Sequence, residues 1–266
     1  MNKLGFIGFG NMGGAIVRGV NNKLGNTAVF VYDKDASKLE GISTYGATAA
    51  ASVIELAKRC DYLLLAVKPQ QLDEVLAEIK QANNRKAVII SICAGISAEY
   101  IRERTFADAK IVLVMPNTPM MLGKGASAMC PCGDVSDNEF AFAKKIIGSC
   151  GITETIPEDK MKEIIAINGS SPAFIYLYAK GFIEYAEKVG IDGGAALRLF
   201  AQSLIGSASM LTESGMTVDE LIKQVSSPGG TTLAGLQELY DGKLTETVGK
   251  ACEACTKRAY ELGAKK

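Results

Sequence analysis

A glycine-rich turn near the start of the chain constrains its fold more than any other feature. The segment Gly8-Phe-Gly-Asn-Met-Gly13 has the form G-x-G-x-x-G and directly follows the apolar run Leu4–Gly8. Gly8 would allow a tight turn, Gly10 a close approach of a ligand to the backbone, and Gly13 close packing of a helix on a strand. A pyrophosphate would then lie at the helix N-terminus. The segment therefore predicts a βαβ unit that binds a dinucleotide.

Two adjacent residues leave the choice of dinucleotide open. The apolar run Ala28–Tyr32 is followed by Asp33, and an acid at this place normally accepts a hydrogen bond from the ribose 2′-hydroxyl of NAD. Lys34 would instead suit the 2′-phosphate of NADP. Asp33 could also be a plain turn residue. We therefore expect the cofactor to be NADPH or NADH.

Residues 1–156 are predicted to form one dinucleotide-binding domain. Short apolar runs alternate there with amphipathic segments, which is typical of parallel strands joined by crossover helices. The predicted strands are Leu4–Gly8, Ala28–Tyr32, Tyr62–Val67, Ala87–Ile92, Ile111–Met115, Ala126–Cys130 and Ile152–Ile156. The predicted helices are Met12–Val20, Val53–Lys58, Leu72–Ile79, Ala98–Arg104 and Asn138–Ile147, with Ser52, Ser97 and Ser136 as N-caps.

Residues 157–266 are predicted to form an all-helical substrate-binding and dimerisation domain. Its segments carry wide apolar faces, part of which we expect to face another subunit. The predicted helices are Lys160–Ile167, Ala173–Val189, Ala195–Leu211, Val218–Val225, with Thr217 and Glu220 as a capping box, Leu233–Tyr240 and Thr247–Leu262. The predicted fold class is an α/β Rossmann-type doubly wound parallel sheet followed by an all-α helical dimerisation domain.

Composition excludes several classes of function. The formal net charge is +0, and no apolar run approaches the ~20 residues of a membrane span, so we expect neither nucleic acid nor membrane as a partner. The absence of histidine excludes an imidazole acid or base. The seven cysteines have no histidine companions, so we expect reduced thiols, no metal and a cytoplasmic location without a signal peptide.

Three further stretches follow predicted strands and should lie at the same edge of the sheet as the glycine loop. They are Ala66-Val-Lys-Pro69, Cys93-Ala-Gly95 and Met115-Pro-Asn-Thr-Pro119. Lys68 and Pro69 offer a cation and a rigid turn, although Lys68 could be a solvated loop lysine. Ala94 and Gly95 would allow a flat ring to approach the backbone.

The stretch Val225-Ser-Ser-Pro-Gly-Gly-Thr-Thr232 interrupts the helical region. Pro228 would end one helix, two glycines would expose the backbone, and Thr231 and Thr232 would cap the next helix. Backbone N–H groups and hydroxyls at a helix N-terminus suit a carboxylate. The simpler alternative is an ordinary helix-cap turn.

Taken together, the motifs GFIGFGNMGGAI, LAVKPQ, VMPNTP, NGSSPAF and VSSPGGTTLAGL resemble those of the pyrroline-5-carboxylate reductase family over essentially the whole chain. The resemblance implies an oxidoreductase that reduces the cyclic imine 1-pyrroline-5-carboxylate to L-proline with NAD(P)H in the last step of proline biosynthesis. It also implies a homodimer formed by the C-terminal helices, with a decamer (a pentamer of dimers) as the larger assembly.

The resemblance also implies roles for individual residues. Thr232 is the expected catalytic residue, and the substrate-binding residues are Ser227, Gly230, Thr231, Thr232 and Glu158. The expected cofactor-binding residues are Ile7, Gly8, Gly10, Asn11, Met12, Gly13, Asp33, Lys34, Ala66, Val67, Lys68, Pro69, Ala94, Gly95 and Gln224, the last reaching from a partner chain. Leu113, Asn168, Ser171 and Asp33 depart from the family's pattern, where Asp33 replaces the Ser/Arg-type ending of an NADPH-preferring member.

Two other classes of protein share the glycine loop. A β-hydroxyacid dehydrogenase would need a catalytic lysine soon after a glycine-rich stretch in its helical domain, but Lys180 lies too far beyond Gly169-Ser-Ser-Pro172. A dinucleotide-binding regulator without turnover would have no use for a carboxylate site. Oxidation of NAD(P)H on addition of pyrroline-5-carboxylate distinguishes the three.

Overall fold

The computed structural model describes residues 2–25 and 27–263, and contacts within the chain divide it into two compact units. The first unit comprises the chain up to Ser170 and again from Ala254 onward. The second unit is Ser171–Glu253. The division of the chain into domains at 156/157 stays a prediction.

A single sheet forms the centre of the first unit. Its strands are β1 (Lys3–Ile7), β2 (Ala28–Tyr32), β3 (Ala47–Ala49), β4 (Tyr62–Leu65), β5 (Val88–Ser91), β6 (Lys110–Met115), β7 (Gly125–Cys132) and β8 (Gly151–Thr155). Their order across the eight-stranded sheet is β3-β2-β1-β4-β5-β6-β7-β8. The reversal of strand order beside β1 is the topological switch point of a doubly wound sheet, which confirms the predicted fold class.

Helices cover both faces of this sheet. They are α1 (Asn11–Lys23), α2 (Val53–Arg59), α3 (Leu72–Ala82), α4 (Ala98–Arg104) and α5 (Asp137–Gly148). Apolar residues of α1 and α5 pack in one core, and those of α2, α3 and α4 pack in the core on the opposite face. The three predicted N-caps are confirmed, because the hydroxyls of Ser52, Ser97 and Ser136 each accept a hydrogen bond from a backbone N–H in the first helical turn.

One strand direction and one strand differ from the prediction. β7 runs antiparallel to β6, whereas the other paired strands are parallel. The connection 116–124 is too short for the crossover that parallel pairing requires. β3 was not predicted, because three residues are too few to show a periodic pattern.

The helices of the C-terminal part are longer than predicted, except the one that begins at Val218, which ends at Gln224 instead of Val225. They are α6 (Ser171–Lys188), α7 (Gly193–Glu213), α8 (Val218–Gln224), α9 (Thr231–Asp241) and α10 (Leu244–Gly263). The capping box of Thr217 and Glu220 at α8 is confirmed. In the described residues, no helix is both long and apolar enough to span a bilayer.

The predicted α-helix Lys160–Ile167 is wrong. A short 3-10 turn, Glu158–Lys160, precedes a π-helical turn, Ile165–Gly169. In that π turn the Ser170 N–H donates to the Ile165 carbonyl at 2.8 Å. The Asn168 side-chain amide donates to the carbonyls of Met115 at 2.7 Å and Ala126 at 3.1 Å. These bonds to the ends of β6 and β7 hold the turn in a form that local helix propensity does not favour.

Candidate active site

The glycine loop has the geometry that its sequence predicts. Gly8 has φ +102°, and its N–H donates to the Tyr32 carbonyl at 2.8 Å. A Cβ on Gly13 would lie 2.3 Å from the Gly8 carbonyl oxygen, so only glycine allows α1 to pack this closely. A Cβ on Gly10, the N-cap of α1, would meet nothing within 4 Å. Backbone at Gly10 is therefore open to a ligand, and the N–H groups at the start of α1 point toward that space.

A cavity of about 320 Å³ adjoins this loop. It brings together eight of the predicted cofactor-binding residues, which are Ile7, Gly8, Gly10, Asp33, Lys34, Ala66, Val67 and Lys68. Asn11, Met12 and Gly13 form the first turn of α1, and Pro69 begins a 3-10 turn directly after Lys68. Sequence reasoning missed Lys38, Glu74 and Glu78, which also line the cavity. The only sequence feature that pointed to them is the spacing of Glu74 and Glu78, which are one turn of α3 apart and should therefore lie on the same face of that helix.

Asp33 is held firmly at the rim of this cavity. Its Oδ2 accepts a hydrogen bond from the Phe9 N–H at 2.7 Å, and its Oδ1 accepts one from the Asp35 N–H at 2.9 Å. The Lys38 ammonium lies 3.2 Å from Oδ1. Partial burial acts to raise the pKa of Asp33, but these three donors outweigh it and hold that pKa below its usual value. Asp33 is therefore a carboxylate at neutral pH.

A second, smaller cavity of about 70 Å³ lies at the carboxyl ends of β5 and β6. It is lined by three of the predicted residues, Ala94, Gly95 and Glu158. Gly95 has φ +77°, and a Cβ there would meet nothing within 4 Å among residues 2–25 and 27–263. Lys162 also lines this cavity and was not predicted, because it lies in the segment wrongly predicted as a plain helix.

The predicted substrate stretch lies in the second unit and is largely exposed there. Its first part is a turn in which the Gly230 N–H donates to the Ser227 carbonyl at 2.9 Å. Gly229 has φ +70°, which with Pro228 before it matches a type II turn. Gln224, the last residue of α8, is also exposed.

The prediction that Thr231 and Thr232 cap the next helix is wrong. The N-cap of α9 is Gly230, with extended backbone and no side-chain hydrogen bond to the helix. Thr231 and Thr232 are the first two helical residues, so their N–H groups are among those that the helix itself does not pair. This arrangement leaves both the N–H groups and the hydroxyls available to an anion.

Two family models match this chain. Residues 158–262 match the model described as pyrroline-5-carboxylate reductase dimerisation. Residues 3–95 match the model described as NADP oxidoreductase, coenzyme F420-dependent.

Whole-length similarity is found with curated and solved relatives. The chain is 34% identical to the pyrroline-5-carboxylate reductase of Aquifex aeolicus, covering 98% of this chain and 97% of that one. It is 32% identical to pyrroline-5-carboxylate reductase 3 of Danio rerio, covering 99% and 92%. A solved structure of the Coxiella burnetii enzyme has a TM-score of 0.93 at 32% identity, covering 98% of each chain. The Plasmodium falciparum enzyme, solved with NADP bound, has a TM-score of 0.86 at 32% identity, again with 98% of each chain.

Proposed function

We infer the reaction from one premise, which is that this chain belongs to the pyrroline-5-carboxylate reductase family. The chain is an oxidoreductase that reduces 1-pyrroline-5-carboxylate to L-proline with NADPH or NADH, the last step of proline biosynthesis. The observation that carries this conclusion is the match to reductases of this name over 98% or more of the chain.

The cofactor residues are proposed to act mainly through their backbone. Ile7, Gly8 and Gly10, with the first turn of α1, would hold the pyrophosphate, because an open backbone and unpaired N–H groups meet there. Ala94 and Gly95 would lie nearer the nicotinamide. The cofactor supplies the hydride, and the protein's task is to bind and orient the reactants.

The substrate carboxylate is proposed to bind at the N-terminus of α9. The turn through Ser227 and Gly230 leads directly into Thr231 and Thr232, whose N–H groups and hydroxyls have no capping partner there. Each hydrogen bond to a charged group contributes roughly 1.5–3 kcal/mol. Thr232 would contact the substrate and is therefore the catalytic residue of this proposal, with Glu158 as an acidic residue near the substrate.

The proton on the ring nitrogen need not come from a strong acid of the protein. A cyclic iminium already carries that proton when it binds, and reduction then adds only the hydride to the C=N carbon. The chain contains no histidine, which agrees with a reaction that does not depend on imidazole.

The test is the oxidation of NADPH or NADH after addition of pyrroline-5-carboxylate, followed by absorbance. We expect Thr232→Ala to lower kcat/KM for the imine by about tenfold or more, because one charge-assisted hydrogen bond is lost. Thr232→Ser keeps the hydroxyl and should retain most of the activity. Thr247→Ala, on an exposed part of α10, is the matched control and should leave kcat/KM unchanged.

Absence of imine-dependent cofactor oxidation in the wild type would disprove the reaction. Normal kinetics of Thr232→Ala would disprove only the role of Thr232.

The C-terminal part supports self-association, since it matches a dimerisation model over residues 158–262. The proposed assembly is a homodimer, with Gln224 of one chain reaching the cofactor of the other, and five dimers as the larger assembly. A cytoplasmic location is proposed as well, supported by the absence of a disulfide in the described part of the chain. A small imine is the only partner besides the cofactor and a second copy in this proposal.

A further inference from the structure

The charged side chains in the cavity next to the glycine loop favour one dinucleotide over the other. Asp33 lies directly after β2, and two contacts join that strand end to the glycine loop. The Gly8 N–H donates to the Tyr32 carbonyl at 2.8 Å, and the Phe9 N–H donates to the Asp33 carboxylate at 2.7 Å. The carboxylate is therefore fixed beside the loop that would hold the pyrophosphate. Its side chain is only 10% exposed, so it cannot turn away into solvent.

The two lysines nearest to Asp33 already have carboxylate partners. Lys34 lies 3.4 Å from Glu74, and Lys38 lies 3.2 Å from Asp33 itself. A phosphate bound by Lys38 would have to compete with Asp33, whereas the exposed Lys34–Glu74 pair offers only weak competition. Both lysines are also well exposed, at 68% and 45%, so each would attract a phosphate only weakly.

Among the charged residues that line the cavity, acids outnumber bases by four to three. Asp35, Glu74 and Glu78 line it together with Asp33, against Lys34, Lys38 and Lys68. Burial is the main cause that raises the pKa of Glu78, the neighbouring Glu74 carboxylate adds to it, and Lys34 acts in the opposite direction. A 2′-phosphate would bring nearly two further negative charges into this environment.

We propose that Asp33 makes this enzyme prefer NADH to NADPH. Its fixed carboxylate accepts hydrogen bonds from the adenosine ribose hydroxyls of NADH and repels the 2′-phosphate of NADPH. The Phe9 N–H and Lys38 are positioning groups, since they hold the carboxylate without contacting the ribose. This preference rests on the proposed function only in that a nicotinamide dinucleotide binds at the glycine loop.

The test compares both cofactors on the wild type and on Asp33→Asn. Asparagine keeps the shape, and its single oxygen can still accept from the Phe9 N–H, so the substitution removes the charge together with the acceptor for the Asp35 N–H and Lys38. We expect wild-type kcat/KM to be about tenfold or more higher for NADH than for NADPH, and Asp33→Asn to reduce that ratio by about tenfold or more. Dissociation constants of NADH and NADPH, measured by fluorescence without imine, should change in the same way.

Asp35→Asn is the matched control. It removes one negative charge from the same cavity, two residues away, and asparagine can still accept the hydrogen bond from the Ser37 N–H. The ratio of kcat/KM for NADH to kcat/KM for NADPH should change much less than with Asp33→Asn. An equal change in both variants would mean that only the overall charge matters, and this would overturn the specific role of Asp33.

Two other results would also overturn the proposal. One is a wild type that binds and uses NADPH better than NADH, and the other is an Asp33→Asn variant with an unchanged ratio. Because the binding measurement needs no imine, it separates this inference from the reaction. A chain that prefers NADH in binding but does not reduce pyrroline-5-carboxylate would disprove the reaction and leave the role of Asp33 intact.

Discussion

At the scale of single residues, Gly10 and Gly13 have different tasks although both belong to one motif. A Cβ on Gly13 would lie 2.3 Å from the Gly8 carbonyl oxygen, whereas one on Gly10 would meet nothing within 4 Å. We expect Gly13→Ala to lower the free energy of unfolding by about 2 kcal/mol, because α1 must move away from the backbone. We expect Gly10→Ala to leave unfolding nearly unchanged and to weaken dinucleotide binding, because the methyl group would occupy the space for the pyrophosphate.

Urea unfolding without cofactor and fluorescence titration with NADH measure the two effects separately. Each variant is the control for the other. The distinction would be refuted if Gly10→Ala unfolded much more easily than the wild type, or if Gly13→Ala unfolded like the wild type.

Asp33 shows how far a motif can be interpreted without tertiary structure. Its position after β2 predicted a contact with the ribose, and Lys34 beside it kept the NADP alternative open. The sequence contains no sign that Lys34 pairs with Glu74 or that Phe9 donates to Asp33, because these partners lie 40 and 24 residues apart. Such pairs form only when the sheet brings their elements together.

At the scale of elements, α5 is tied to β6 by a partly buried ion pair. Lys110 of β6 lies 2.6 Å from Glu139, which also closes the capping box with Ser136. Partial burial acts to raise the pKa of Glu139, but Lys110 and Ser136 outweigh it and hold that pKa below the usual 4.5. Since the folded-state pKa is lowered, the stabilisation is complete above about pH 4.5 and disappears as the pH falls through the folded-state value.

We expect Glu139→Gln to lower the free energy of unfolding by about 1 kcal/mol at pH 7. Glutamine can still complete the capping box with its oxygen, but its NH2 group then faces the Lys110 ammonium, so the loss includes the hydrogen bond to Lys110 as well as the charge. The difference from wild type should shrink below pH 4.5, because Glu139 of the unfolded chain then binds a proton, and it should vanish below the folded-state pKa, where Glu139 is neutral in both states. Thermal unfolding at several pH values measures this. A difference that stays constant down to pH 3 would contradict the mechanism.

β7 and the π turn differ from their predictions for reasons that apolar periodicity does not show. β7 pairs antiparallel because the connection after β6 is short, and the π turn Ile165–Gly169 forms because Asn168 bonds to the ends of β6 and β7. Apolar periodicity reports which side of an element is buried. It does not report strand direction or the distant partner of a polar side chain.

At the scale of the whole molecule, the second unit exposes more apolar surface than one chain alone needs. Large exposed side chains concentrate on α6 and α7, where Leu177 and Leu199 are 70% and 71% exposed. Apolar patches of this kind mark an interface. We expect Leu199→Glu to shift the protein toward monomers, since a buried carboxylate without a partner is strongly unfavourable.

Light scattering coupled to size-exclusion chromatography measures the mass of the assembly. Leu122→Glu is the control, because Leu122 is 82% exposed but lies outside the region that matches the dimerisation model. It should leave the mass unchanged. A Leu199→Glu protein that folds normally and keeps the wild-type mass would place the interface elsewhere.

The sequence by itself determined the cofactor loop, the alternation that builds the sheet, the helical C-terminal part and the family. Each of these depends on residues close together in the chain, whose backbone conformation or burial follows from local chemistry. Only the tertiary structure decided that Asp33 is held by Phe9 and Lys38, that β7 pairs antiparallel with β6, and that Gly230 is the N-cap of α9. These features depend on groups that packing brings together from distant segments, or on which residue first adopts helical backbone. No local pattern specifies either.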